Sequence, residues 1–271
     1  MAEDVTPEPT APALAEQRTS YAGRFTLVYA VLALILGAAL ATFVIFLARP
    51  SGGGPSGSAA WSPWQPADQG PNLLAEIANH VAPRYRMPGG TQLVRVDATV
   101  PSVAVPSSSG GVRFPVASIA VAQDTDPPGY AVYPSNLTVQ YSLCGDGGDC
   151  SLPRTDGISP QDRGLHLQRE ALELALYSFQ YLNADAVLEL LPPAPDGTTR
   201  RAIYLRREDL AAQLAQPLSA TIDPVRVPVL GHIGSEEARR ILELTGSHVY
   251  DARYQQQLDQ TFQVILDRPQ G

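Results

Sequence analysis

An uninterrupted apolar run, FTLVYAVLALILGAALATFVIFLA at residues 25–48, limits the possible structures of this chain more than any other segment. It contains no charged side chain, and Arg24 and Arg49 flank it. As a helix the run is about 36 Å long, which exceeds the roughly 30 Å of hydrocarbon in a bilayer. The alternative is a cleaved signal peptide, but the small residues at 58–60 that could form a cleavage site lie well beyond the run. We therefore predict an uncleaved signal-anchor helix over residues 24–49.

The positive charges near this helix predict its orientation. Arg18, Arg24 and the amino terminus precede it, whereas Arg49 alone follows it closely. Positive residues favour the cytoplasmic side. The sequence thus predicts a single-pass protein of the cell membrane with a cytoplasmic amino terminus. Residues 1–23 are rich in Pro, Thr, Ala and Glu, and we expect a disordered cytoplasmic tail.

Three small residues inside the predicted anchor recur at a spacing of four. Ala33, Gly37 and Ala41 lie on one helix face, and such a face allows two helices to approach closely in lipid. The alternative is that alanine and glycine are simply frequent in this chain. We predict this face as a candidate site for self-association through the transmembrane helix.

The remainder divides into a linker rich in Gly, Pro and Ser at residues 50–70 and one extracytoplasmic domain at 71–271. We predict an α+β fold for this domain, with a mainly antiparallel sheet packed against a central helix. Three strand-like runs lie at 92–100, 112–123 and 130–144. The central helix is predicted at 160–182, because Ser159 is a good N-cap, Pro160 suits the first helical position and the apolar surface that follows is broad.

Further elements follow the same reasoning. Helices are predicted at 72–81, at 208–216 and from Ser235 to Gly246, and strands at 186–191 and 201–206. The last segment, 248–267, fits either a helix or a hairpin, and its Tyr, Val, Thr and Phe content favours a hairpin. Trp61 and Trp64 suit either the membrane interface or the domain surface, and we favour docking on the domain.

The two cysteines, Cys144 and Cys150, enclose five residues rich in glycine. Outside the cytoplasm such a pair can form a disulfide, which would stabilise the fold by about 2 kcal/mol. A metal site would need more ligands than this loop offers, and a reduced pair is the remaining alternative. We predict a disulfide.

Charge and motif content exclude several classes of function. From Arg49 to the end there are 23 acidic residues and 17 arginines, so no basic field is available to attract nucleic acid. No nucleotide, zinc-protease or nucleophile-elbow motif is present, and we predict no cofactor, metal or catalytic residue. The four histidines fall on separate predicted elements and have no neighbours at ligand spacing. They are His80, His166, His232 and His248.

Two clusters have both a functional and a structural interpretation. Asp124 and Asp126 could pair as acid and base, or bind calcium with Asp146 and Asp149, but carboxylates in a turn are more typical of a solvated loop. Arginine doublets at 200–201, 206–207 and 239–240 could form an anion-binding edge. Adjacent residues of a strand point to opposite faces, however, which weakens any single patch.

The sequence therefore predicts a membrane-anchored, non-catalytic interaction or assembly module of a bacterial cell envelope. Its expected partners are the lipid bilayer and an envelope protein or wall polymer. An extracytoplasmic ligand-binding sensor with a pocket between the central helix and the sheet is the first alternative. An envelope hydrolase whose site only the fold assembles is the second.

Overall fold

The computed structural model describes residues 60–67, 70–105, 112–147, 149–152, 157–193 and 200–269. The predicted cytoplasmic tail, the anchor with Ala33, Gly37 and Ala41, and most of the linker lie outside these residues. Among the described residues, no helix combines the length and the apolar character needed to cross a membrane. The transmembrane helix and its association face therefore stay predictions.

The described domain is α+β, as predicted. The helices are α1 (Leu73–Val81), α2 (Pro160–Tyr181), α3 (Ala211–Leu214) and α4 (Ser235–Thr245). The strands are β1 (Arg95–Thr99), β2 (Ser102–Val105), β3 (Val112–Gln123), β4 (Gly129–Pro134), β5 (Thr138–Cys144), β6 (Ala186–Leu190), β7 (Arg200–Arg206), β8 (Val249–Gln256) and β9 (Phe262–Asp267). Short 3₁₀ turns occur at Ala82–Arg84, Arg207–Leu210, Leu218–Ala220 and Gly246–His248. The hairpin prediction for the last segment is confirmed, because β8 and β9 pair antiparallel.

The strands form one mixed sheet in the order β1-β5-β6-β7-β8-β9-β3-β2, with β4 also paired to β3. Six strand pairs are antiparallel, whereas β5 with β6 and β3 with β9 are parallel. The prediction of a mainly antiparallel sheet missed both parallel pairs. Parallel neighbours need a long crossover connection. The central helix α2 supplies it between β5 and β6.

The two ends of this strand order are joined by the chain itself. Only Val100 and Pro101 separate β1, at one end, from β2, at the other. The side chain of Gln140 on β5 reinforces the closure: its amide group donates to the Ser102 carbonyl at 3.1 Å and accepts from the Ser102 N–H at 3.2 Å. The sheet is therefore close to a closed barrel.

Two apolar cores lie on opposite faces of the sheet. The inner core includes Leu188 and Tyr204, and the outer core includes Val187 and Ile203, so β6 and β7 are buried on both faces. Helices α1, α2 and α4 cover the outer face. Leu172 and Leu176, from the predicted stripe of the central helix, are fully buried there.

The segment before α1 docks on the domain through its two tryptophans, which confirms the docking prediction. Trp61 and Trp64 both pack edge-on against Tyr177 near the end of α2. The Trp64 ring also stacks on the His80 imidazole with a centroid distance of 3.9 Å. A hydrogen bond of 2.7 Å joins the hydroxyls of Ser62 and Tyr177. We call residues 60–67 the aromatic arm.

The two cysteines are paired as predicted. The Sγ atoms of Cys144 and Cys150 lie at bonding distance, 2.04 Å, and the loop between them begins where β5 ends. A Cβ atom at Gly145 would collide with the Ser151 carbonyl. Glycine is therefore required for this tight loop.

Candidate functional site

A cleft of about 1220 Å³ opens between the first turns of α2 and the outer face of the sheet. Four parts of the chain form it: the start of α2, the β3–β4 turn, the segments that follow the disulfide loop and β6, and the ends of β7, β8 and β9. The lining residues are 122–125, 128–130, Leu152, Pro160, Arg163, Gly164, Leu167, Gln168, 191–193, Arg201, Val249, 251–253, Asp267 and Arg268.

Strand register brings the charged side chains of the sheet wall together. Arg201 lies opposite Asp251, and Asp251 lies opposite Asp267, on three neighbouring strands. Their chain neighbours Tyr250 and Leu266 belong to the inner core. Because successive side chains of a strand alternate, the charged residues point to the outer face and into the cleft.

The two aspartates of this row would repel each other, since like charges directly opposite on adjacent strands are destabilising. Each has an arginine nearby. Nε of Arg253 donates to Asp267 at 2.7 Å, and Nε of Arg201 lies 3.8 Å from Asp251. The Tyr130 hydroxyl also donates to Asp267. Burial opposes ionisation of Asp267, but the bonds from Arg253 and Tyr130 outweigh it and hold its pKa below the ordinary value.

A second ion pair fixes the β3–β4 turn at the cleft. The guanidinium of Arg268 binds both carboxylate oxygens of Asp124, at 3.1 and 2.7 Å. It also donates to the Ser247 carbonyl at 2.6 Å and lies over the Tyr250 ring. A bidentate pair anchored at several points has a defined orientation.

The helix wall of the cleft contains a glycine where α2 faces the sheet. Glycine within a helix destabilises it by roughly 0.5–1 kcal/mol relative to alanine. A Cβ atom at Gly164 would have no atom within 4 Å, so packing does not require the glycine. Its effect is to widen the cleft.

The chemistry of the lining is that of paired donors and acceptors. Among the described residues it contains four arginines and three aspartates, and neither histidine nor cysteine. These side chains can hold a ligand by hydrogen bonds, while Leu152, Leu167, Leu191 and Val249 supply apolar contact.

The structure separates the clusters that the sequence singled out. Asp124 lines the cleft, but Asp126, Asp146 and Asp149 do not, and the described residues contain no group of three or more side chains placed to bind a metal. The predicted calcium alternative therefore has no site among them. The histidines are also apart: His166, for example, contacts the backbone carbonyls of Asp162 and Pro228.

The arginine doublets do not form one edge. Arg201 lines the cleft, whereas Arg206 lies over the Tyr133 ring. Arg207 donates to three carbonyls at the end of α2, those of Phe179, Leu182 and Ala184. Arg239 and Arg240 pair with glutamates of their own helix α4.

Sequence reasoning missed Asp251, Arg253, Asp267, Arg268, Arg163 and Gly164. A usable signal existed for the first four, because Asp and Arg recur two residues apart on β8 and adjacent at the end of β9. That signal needs the register of the hairpin, which the sequence does not specify.

A separate, largely buried ionic cluster surrounds Arg169 and Glu173 of α2. Arg169 is fully buried and donates to Glu237 at 2.7 Å, to the Tyr85 hydroxyl at 2.5 Å and to the Asp223 carbonyl at 2.9 Å. Glu173 accepts from the Tyr85 hydroxyl at 2.6 Å and pairs with Arg84. These charges are well satisfied, which indicates a structural role.

Two further carboxyl groups, on α2 and on the sheet, have no such partners. Glu170 on α2 and Glu189 on β6 are fully buried, and none of their four carboxyl oxygens has a hydrogen-bond partner among the described residues. Burial raises the pKa of both groups, and each is also near another glutamate: Glu173 for Glu170, and Glu170 for Glu189.

Comparison with protein-family models, curated proteins and solved structures finds no match to this chain. The cleft is therefore interpreted from its own chemistry.

Proposed function

We propose that this chain is a membrane-anchored, non-catalytic binding module of a bacterial envelope, and that it holds a segment of an envelope partner in the cleft. The size of the cleft is the observation that supports this function. Its volume of about 1220 Å³ exceeds the roughly 300–1,000 Å³ of most small-molecule pockets. A cleft of this size suits part of a polymer better than one small metabolite.

The ion pairs of the cleft support a binding role over a chemical one. Asp124 and Asp267 are each held by an arginine within hydrogen-bond distance. The bonds to Asp267 hold its pKa below the ordinary value, which suits fixed recognition, whereas a general acid or base must exchange a proton near the working pH.

Two features support a location outside the cytoplasm. The apolar run at 25–48 has the length and flanking charges of a signal anchor. The bonding distance between Cys144 and Cys150 suits a disulfide, and disulfides persist in oxidising compartments.

A ligand-binding sensor is the second candidate, because the cleft lies between α2 and the sheet, where a sensor pocket was expected. In that case a small molecule would bind the cleft and change the contacts of the cytoplasmic tail. If a small envelope metabolite prevents the wild-type chain from capturing its partner, this alternative is favoured.

The test is crosslinking of the full-length chain in its native membrane, followed by purification and mass spectrometry. The informative variant is Gly164→Phe, whose ring would extend into the open space of the cleft. The control is Arg239→Leu, which changes an exposed residue of α4 outside the cleft. We expect Gly164→Phe to lose the main crosslinked species and Arg239→Leu to retain it. Equal recovery from both variants, with equal melting temperatures, would contradict a binding role for the cleft.

A further inference from the structure

We infer that the segment held in the cleft is an uncharged, polyhydroxylated chain, namely an oligosaccharide strand. This inference rests on the proposed function, because it names the chemistry of the partner that the cleft holds. It depends on the charge balance of the lining, the order of donors and acceptors along the sheet, and an exposed aromatic ring beside them.

The charge balance of the cleft disfavours a strongly charged segment. The described lining contains four arginines and three aspartates, so its formal charge is +1. An acidic peptide would face the carboxylates of Asp124, Asp251 and Asp267, and a basic peptide would face the guanidinium groups. Complementary charge normally steers such partners and excludes the wrong ones. A cleft with near-equal numbers of both signs gives little net attraction to either peptide.

The order of the side chains matches hydroxyl groups. Arg201 can only donate, while the neighbouring Asp251 and Asp267 can only accept when ionised. A hydroxyl both donates and accepts, so each sugar hydroxyl can bridge such a pair. Arg201 is the most open member of the row: its side chain is 62% exposed, against 22% for Asp251. The two groups lie 3.8 Å apart, so each can still bind a ligand hydroxyl.

An aromatic ring completes this surface. Tyr130 is 49% exposed, and its hydroxyl donates to Asp267 in the same row of side chains. The hydrogen bond fixes the direction of the ring, which leaves its apolar body beside polar groups. A sugar ring has an apolar C–H face and polar edges, so it can pack on such a ring while its hydroxyls reach the carboxylates.

The binding test uses the full-length chain in lipid nanodiscs, because many detergents carry sugar head groups. The probe is a fluorescently labelled oligosaccharide fraction from bacterial envelopes, freed of peptide and lipid and passed over an anion exchanger. An oligoglutamate peptide with the same label is the charged comparison. Fluorescence anisotropy measures the affinity of each probe.

We expect the oligosaccharide to bind the wild-type chain and the oligoglutamate peptide not to bind. Asp251→Asn should weaken oligosaccharide binding by about tenfold, because a charge-assisted hydrogen bond becomes a neutral one. Asp97→Asn is the matched control, since Asp97 is an exposed aspartate of β1 outside the cleft. This variant should bind the oligosaccharide with the same affinity as the wild type.

Absence of oligosaccharide binding, or equal binding by wild type and Asp251→Asn, would overturn the inference. If oligoglutamate binds and Gly164→Phe abolishes that binding, the oligosaccharide inference is wrong while the cleft remains a binding site. If Gly164→Phe leaves the native crosslinks unchanged, the proposed function itself is wrong.

Discussion

At the level of single residues, the unpartnered carboxyl groups of Glu170 and Glu189 carry the clearest energetic consequence. A buried carboxylate without hydrogen bonds is far less stable than the neutral acid. Both side chains should therefore hold their protons in the folded state over a wider pH range than in the unfolded chain.

Stability should consequently fall as pH rises. The folded pKa of Glu189 lies well above its ordinary value of 4.5, so between these two values the folded state binds more protons than the unfolded state. The stabilisation that protonated Glu189 provides is complete below its ordinary pKa and is lost as the pH rises through its pKa in the folded state. Glu189→Leu should remove the part of this dependence that Glu189 contributes, and raise the free energy of unfolding at neutral pH by about 1–3 kcal/mol. Urea unfolding across a pH series measures both effects.

Glu173 offers a contrast on the same face of α2. Its carboxylate compensates Arg84 and the fully buried Arg169. Glu173→Leu should destabilise the fold by about 3–5 kcal/mol, because Arg84 and the Tyr85 hydroxyl lose the buried carboxylate that they bind. If Glu189→Leu also lowered the free energy of unfolding, Glu189 would have a compensating partner. That result would contradict the predicted gain in stability.

At the level of elements, the aromatic arm should respond to acid. Burial, and then the nearby charge of Arg84, lower the pKa of His80 from 6.5 to about 4. The docked arm therefore favours neutral imidazole, and this contribution is complete above about pH 6.5 and lost as pH falls through about 4. Trp61 and Trp64 are the only two tryptophans, so intrinsic fluorescence reports on the arm directly.

We expect a shift of tryptophan emission to longer wavelength on acidification of the wild-type chain. His80→Phe keeps an aromatic ring beside Trp64 but cannot be protonated, so its emission should change only when the whole domain unfolds. An identical acid transition in both proteins would exclude His80 as the cause.

The elements also show what the sequence could predict. Helix α2 and strand β3 lie where their patterns placed them, because a capped amphipathic helix and a long strand bounded by Gly and Pro are local signals. Strand β2 is only four residues long and follows Pro101, so it gave no pattern. The cleft depends on cross-strand register and on a parallel crossover, which are properties of distant segments. Only Asp124 and Arg201 of its charged groups had been singled out.

At the level of the whole molecule, one buried side chain reinforces the closure of the sheet. Gln140 is buried and bonds to both backbone groups of Ser102. Gln140→Leu should leave these groups without partners and lower the free energy of unfolding by about 1–3 kcal/mol. Amide hydrogen exchange should rise first in β1 and β2. Gln255→Leu, at an exposed position of β8, should change neither quantity, and equal exchange in both variants would argue against the closing role.

The position of the aromatic arm has a mechanical consequence. The arm contacts Tyr177 and Tyr181 near the end of α2, whereas Gly164 lies in the cleft near its beginning, about 20 Å away along the helix axis. If the predicted anchor and the proposed partner are both present, a pull between them would act along the length of α2. The many hydrogen bonds and side-chain contacts of that helix would then bear the force together. The domain should therefore unfold at a higher force in this direction than when the force separates one strand at a time from the sheet.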